Sequence, residues 1–300
     1  MNTQHNNGKT LDDKSVLLVV EFHRLGNSRK VSSDNVEVHA DKSMVRVNKS
    51  LLDSEEYDAI KTHDGQTRQW LMSRALPSVF KEGVYRVPNT LLIEIDDYLG
   101  RRKLQRQALV IEFQATYDER VTEALERLGD IGNADDYLDA GEAASKFGLE
   151  WKYVSFNTPD TLKNLKAGLF ERERQKIEKM MAEATEEIRT VLRAQMSALV
   201  KRMVTQLAPG KDGKRKKIYD SLTGNIEDFL STFDARNLAN DGELQRLVAT
   251  AREAMNGINP DVLRNDDEAR SEVAKDFAKI NATLDEMIIE TPTRRFDFSD

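Results

Sequence analysis

Between Pro159 and Pro209 the chain carries no proline and a single glycine, Gly168. No other feature narrows the fold as much. Proline breaks helices and glycine weakens them, so the run from Pro159 to Leu207 reads as one helix. At about 1.5 Å per residue it would be roughly 70 Å long. Globular helices average about 11–12 residues, and one this long persists only by burying an apolar stripe against partners. Asn157 or Thr158 supplies an N-cap, Pro159 suits the first turn, and Asp160 suits the positive end of the helix dipole. The stripe is present: Ile177, Met181, Ala184, Ile188, Val191, Met196, Leu199 and Met203 recur at steps near three and four.

Later segments offer the partners. Val273, Phe277, Ile280, Leu284 and Met287 step by four, three, four and three, a heptad seam of about two repeats. Ile218, Leu222, Ile226, Phe229 and Phe233 form a second stripe. Leu244, Leu247, Val248, Ala251 and Met255 form a third, with Gly257 as its stop. The pattern favours a chain folded back on itself as an antiparallel helical hairpin or coiled-coil bundle. The alternative is a parallel coiled coil between two copies, for which the run after Val273 is too short to decide. No internal repeat of 20–50 residues is visible.

The first half mixes strand and helix signals. Ser15–Phe22 (SVLLVVEF) is a continuous β-branched and apolar run, the pattern of a strand buried on both faces. Met44–Val47 and Gly83–Pro88 are shorter strand candidates, and Leu149–Phe156 alternates, with Leu149, Trp151 and Tyr153 on one face. Between them lies a helix weakened near His63–Gly65. After Pro88 come two helices, or one with a weak point at Gly100. Leu104, Ala108, Ile111 and Ala115, continued by Val121, Leu125 and Leu128, make an approximate stripe there. The segment from Gly129 to Gly148 reads as a loop with a short helix. The expected class is α+β, predominantly helical: a small mixed sheet covered by helices, then the long bundle. The expected boundaries are a disordered leader at 1–14, an α+β domain at 15–157, an elongated bundle at 158–290 and a tail at 291–300.

Composition agrees with extended helices: 39% hydrophobic and 32% charged residues leave less core and more surface than a compact globule has. A net charge of -7 disfavours non-specific binding of the whole molecule to nucleic acid or anionic membranes. With no cysteine, disulfides, thiolate metal sites and cysteine nucleophiles are excluded. No apolar run approaches the ~20 residues that span a bilayer, and the N-terminus lacks the regions of a signal peptide. A soluble, cytoplasmic protein is expected.

The densest functional signal is Pro209–Lys217, PGKDGKRKK. It is not a mononucleotide loop: the glycines are too close, Lys214 is followed by Arg215, and a helix precedes it instead of a strand. Two other readings remain. Lys211, Lys214, Arg215, Lys216 and Lys217 are either the solvated tip of a helical hairpin or a contact for nucleic acid or an acidic protein partner. The local charge from Lys211 to Lys217 is +5 - 1 = +4. Four phosphate contacts would give a salt slope of only about -3.6, and Tyr219 is the one nearby aromatic for stacking. Gly100–Arg106 (GRRKLQR) is a lesser basic candidate.

His5, His23, His39 and His63 show no ligand spacing, and no zinc-protease or serine-hydrolase motif occurs. No catalytic residue, metal ligand or cofactor is assigned. The acid pairs Asp96–Asp97, Asp135–Asp136 and Asp266–Asp267 fall where helices begin or turn, as caps do. The tail carries Arg294, Arg295, Phe296 and Phe298. Its rings either fold back onto the bundle or dock into a partner's pocket.

The order KEGVYRVP, a long helical stretch, ASKFGLEWKYVSF and a very long charged helix resembles a family of uncharacterised proteins of bacteriophages and integrative mobile elements of bacteria. The likeness covers about residues 15–207. Members are often encoded near AAA+ ATPases of the MoxR or cobalt-chelatase type. The resemblance implies a phage or mobile-element origin and an AAA+ ATPase as partner, and it carries no site residues. The expected function is therefore non-enzymatic: an interaction or assembly protein whose helices present a rigid arm, with a nucleic-acid-associated accessory factor as the alternative. Association with further copies of the chain is open.

Overall fold

The computed structural model describes residues 11–32, 39, 41, 44–78, 83–155, 167–210 and 214–289. In chain order these form α1 (Leu11–Lys14), β1 (Ser15–His23), β2 (Ser28–Val31), β3 (Val47–Ser50), α2 (Glu55–Arg74), β4 (Leu76–Pro77) and β5 (Val84–Pro88). There follow α3 (Leu92–Leu128), α4 (Ala140–Ser145), β6 (Gly148–Val154), α5 (Ala167–Leu207), α6 (Asp220–Arg236), α7 (Gly242–Ala254), α8 (Pro260–Asn265) and α9 (Asp267–Ile289). The fold is α+β and mainly helical, as its sequence indicates. The strand order is β4-β5-β1-β6, and β2 and β3 form a separate pair. No helix of the described residues is long and apolar enough to cross a membrane.

The chain clusters into two compact units that are not sequential. One gathers Met1–Leu17, Met72–Leu92 and Val154–Asp300, the other Leu18–Leu71 and Ile93–Tyr153. Two stretches of the N-terminal half thus group with the helical bundle.

In the bundle unit, α5 through α9 share one apolar core. Its members include Leu192 and Met196 of α5, Phe229 and Phe233 of α6, Val248 of α7, and Phe277 and Leu284 of α9. Phe233 and Phe277 are fully buried, each stabilising the fold by about 1.5–3 kcal/mol relative to exposure. The polar contacts fix the direction of packing. Arg270 Nε donates to the Leu207 carbonyl at 3.3 Å, Lys201 pairs with Asp285 at 2.7 Å, and Arg193 Nη1 donates to the Met287 carbonyl at 3.5 Å. As α5 is followed backwards, α9 runs forwards, so the two are antiparallel. The heptad seam from Val273 to Met287 is buried within its own chain. Caps stop and start the helices where the sequence supplies them. Asp241, Asn259 and Asp266 accept backbone N–H bonds at the starts of α7, α8 and α9. Gly257 takes φ +73, the left-handed turn after α7 that other residues resist. The expected N-cap at Asn157 or Thr158 lies outside the described residues, as does the tail with Arg294, Arg295, Phe296 and Phe298.

In the mixed unit, β2 pairs antiparallel with β3, Ser28 opposite Ser50 and Val31 opposite Val47. The strand expected at Met44–Val47 instead begins at Val47. That register buries Val31 and brings the Lys49 side chain, also buried, within 2.6 Å of both Asp136 and the Ile131 carbonyl. Leu51, Leu52, Tyr57, Ile60, Phe113 and Tyr117 form the core. The rings of Tyr57 and Phe113 each pack edge-on against Phe147, at 5.9 and 5.1 Å. Neither expected weak point interrupts a helix. α2 passes through His63–Asp64–Gly65 and α3 passes Gly100, each unbroken.

Candidate interaction face

Both long helices of the mixed unit turn a heptad seam inward, and each seam contains a charge. On α2 it runs Tyr57, Ile60, Asp64, Thr67 and Leu71; on α3 it runs Ile95, Leu99, Arg106, Phe113, Tyr117 and Ala124. The two charges meet. Arg106 donates from Nε and Nη2 to the two carboxylate oxygens of Asp64 at 2.7 and 3.1 Å, and from Nη2 to the His23 carbonyl at 2.8 Å. Asp64 is wholly buried, and Arg24 lies 3.7 Å from its second oxygen. Arg102 continues the ladder, donating to Thr67 Oγ1 at 2.8 Å and to the His63 carbonyl at 2.6 Å. A paired, hydrogen-bonded charge can occupy a core position that a lone one could not. His63 is buried beside this network with neither ring nitrogen hydrogen-bonded. Burial, then the nearby positive charge of Arg102, holds its pKa below the ordinary histidine value, against the pull of Asp64.

This inward seam decides what α3 shows outside. Leu104 is 69% exposed and Ile111 61%, and Ala108 and Ala115 are exposed with them. The first four residues of the stripe that sequence spacing picks out are thus on the outer face of the helix, whereas Val121, Leu125 and Leu128 are half-buried, Val121 against the core. Arg101 and Asp118 extend the outer four at either end and are exposed as well. Single exposed leucines are ordinary on protein surfaces. A run of outward apolar residues at steps of four, three and four is not, because that spacing builds a seam for another helix. Ile93, 77% exposed, adds apolar surface nearer the start of α3.

Other polar groupings serve the fold. An open cleft of about 630 Å³ lies at the start of α7, lined by Arg189, Arg193, Asp241, Glu243, Arg246 and neighbours. Its charges are largely matched within the chain: Arg193 holds Asp241 through two bonds of 2.6 and 3.1 Å and reaches Glu243 at 3.2 Å. Burial pushes the Asp241 carboxyl up, but the bonds from Arg193 and the Leu244 N–H outweigh it and hold the pKa below the usual range. Such a set clamps α7 to α5 and leaves no free base or nucleophile pair. Asp96, one of the expected caps, instead accepts bonds from Trp151 Nε1 at 2.8 Å and the Tyr153 hydroxyl at 2.9 Å, tying β6 to α3.

One set offers metal-ligand geometry that sequence spacing did not reveal. Glu21, His23 and Glu150 place one ligand atom each within 4.8 Å of one another, on neighbouring strands β1 and β6. Glu21 and His23 share a face because strand side chains alternate. A nitrogen and two carboxylate oxygens would suit a borderline divalent ion such as zinc. All three are exposed, however, and the Lys152 ammonium already stands 3.8 Å from Glu21.

No protein-family model, curated protein or solved structure matches this chain. Its functional reading therefore rests on its own surfaces.

The basic bend is engaged locally. Lys211 lies outside the described residues. Arg215 forms an ion pair with Asp267 and donates to the Arg264 carbonyl at 3.3 Å. Lys216 donates to the Thr205 carbonyl at 2.7 Å, and Lys217 sits 5.1 Å from the centre of the Tyr219 ring. Gln206 and Arg270 bind the backbone carbonyls of Lys217 and Lys216. These cations lie where the negative end of the α5 dipole and its unpaired carbonyls need donors. Lys214, Arg215 and Lys217 remain exposed. In the second basic candidate, Arg102 and Arg106 point inward, leaving Arg101 and Lys103 outside.

Proposed function

We propose that this is a non-enzymatic interaction and assembly protein that works by docking through the outer face of α3. The observation that carries the reading is the exposed Leu104–Ala108–Ile111–Ala115 seam, backed by the fully buried Asp64–Arg106 pair that holds α3 in place. Exposed apolar surface at helical register costs solubility and gains nothing for the unit that bears it, so it is best explained by a partner. The Arg193–Asp241 and Asp64–Arg106 pairs support this, since their groups are committed to clamping helices together. Following the resemblance to phage and mobile-element proteins, we place its work in the bacterial cytoplasm, with an AAA+ ATPase as the partner to test first.

The experiment is co-purification of tagged full-length chain with an AAA+ ATPase of the MoxR or cobalt-chelatase type from the same source. The wild type should retain the ATPase through washing. A Leu104→Glu, Ile111→Glu variant should lose it while keeping its helical circular dichroism, because both side chains are solvent-exposed. Failure of the wild type to retain the ATPase removes that partner. Equal retention by the variant removes α3 as the docking face.

A further inference from the structure

The outer face of α3 has an order that favours one occupant. Arg101, Leu104, Ala108, Ile111, Ala115 and Asp118 follow one another at steps of three, four, three, four and three, and all are exposed. The spacing is the same read in either direction, but the chemistry inverts. Forward it runs cation, large, small, large, small, anion. Backward it runs anion, small, large, small, large, cation. A helix laid against it in the opposite direction and carrying the same residues meets it in complement at every step.

We propose that α3 pairs antiparallel with α3 of a second copy of this chain. Ala108 lies opposite the partner's Ile111, and Ala115 opposite the partner's Leu104. Arg101 at one end faces the partner's Asp118. Two-fold symmetry repeats each contact, so the interface is closed and self-complementary. The alanines let the backbones approach, and each large side chain fills the space beside an alanine, as knobs fill holes in a coiled coil. Charge sets the direction. In a parallel, in-register pair Arg101 would face Arg101 and Asp118 would face Asp118, and the leucines would collide while the alanines left gaps. Among the described residues, neither the Arg101 guanidinium nor the Asp118 carboxylate forms an ion pair within its own chain, so both are available. The flanks place Gln105 toward the partner's Glu112, and Gln107 toward the partner's Gln114, with no like-charge conflict. The contact is a single helix pair with few apolar knobs, which belongs to the small, reversible class of interfaces.

This inference rests on the reading of α3 as a docking face and adds its occupant. The test is sedimentation equilibrium of the full chain over about 5–300 µM. The wild type should show a monomer–dimer equilibrium. Arg101→Asp alone and Asp118→Arg alone should each weaken it about tenfold or more, since each creates two like-charge contacts. The double variant should recover dimerisation. An equimolar mixture of the two single variants should form a heterodimer that neither forms alone. A wild type that stays monomeric throughout overturns the proposal, as does a dimer indifferent to both reversals. Loss in the single variants without recovery in the double variant or the mixture also overturns it. The two readings separate cleanly. A monomeric chain whose Leu104→Glu, Ile111→Glu variant still loses the ATPase leaves docking intact and refutes self-pairing. A charge-swappable dimer that retains no ATPase supports self-pairing through α3 and removes the ATPase as partner.

Discussion

Replacing Arg106 with methionine tests the packing of the mixed unit at its centre. Asp64 has no exposed surface, and its two oxygens take the Arg106 bonds of 2.7 and 3.1 Å. After the substitution its nearest cation is Arg24, 3.7 Å away with a third of its side chain in solvent. Stranding a buried charge in this way costs about 3–5 kcal/mol, and the His23 carbonyl loses its donor as well. Adding Asp64→Leu removes the stranded charge. The double variant should then recover to within about 2 kcal/mol of wild type, because apolar replacement of a buried pair is often near neutral. The assay is urea unfolding followed by tryptophan fluorescence. The only tryptophans are Trp70 and Trp151, and both lie in the mixed unit, so the signal reports that unit and is blind to the bundle. A single-variant loss below about 1 kcal/mol would show that the pair is not a keystone. A double variant as unstable as the single would show that the arginine acts through something other than Asp64.

Two further outcomes follow from named contacts. His63 is buried and its pKa is lowered from 6.5, first by burial and then by Arg102, so the unfolded chain binds its proton more readily than the folded one. Stability of the mixed unit should be full above about pH 6.5 and decline below it, at up to about 1.4 kcal/mol per pH unit for this group; His63→Leu should flatten that part of the curve, and an unchanged slope would contradict the assignment. In the bundle, Arg270→Met deletes donors to the carbonyls of Leu207, Gln206 and Lys216. It should cost about 1.5–3 kcal/mol, read by thermal circular dichroism; no measurable shift would mean that water replaces the guanidinium at the end of α5.

The bundle was legible because its chemistry is simple. From Ile188 to Met203 and from Val273 to Met287, the residues at core spacing are apolar and the packing follows them. The mixed unit hid its core because each of its seams is interrupted by an ion. With Asp64 and Arg106 at core positions, the inner stripe of α3 is broken in sequence, and the run through Leu104 and Ile111 is the cleaner apolar pattern. Had the two charges been allowed at core positions, both heptads would have appeared, and with them the prediction that they pair. The metal-capable trio was out of reach for another reason: Glu21 and Glu150 stand far apart in sequence, and only strand pairing brings them together.

The misplacement of that stripe is itself informative about α3. A 37-residue helix with one apolar face inward and a second outward cannot satisfy both within a single unit of this size. The inward face is specified by the Asp64–Arg106 pair, because turning the helix to bury Leu104 and Ile111 would bring Arg106 toward solvent and leave Asp64 buried alone. At about 3–5 kcal/mol, that penalty rivals what burying the two outer side chains would return at about 1.5–3 kcal/mol each, before the loss of Phe113 and Tyr117 from the core is counted. The ion pair therefore acts as a register device. It keeps the second seam on the surface of the described residues.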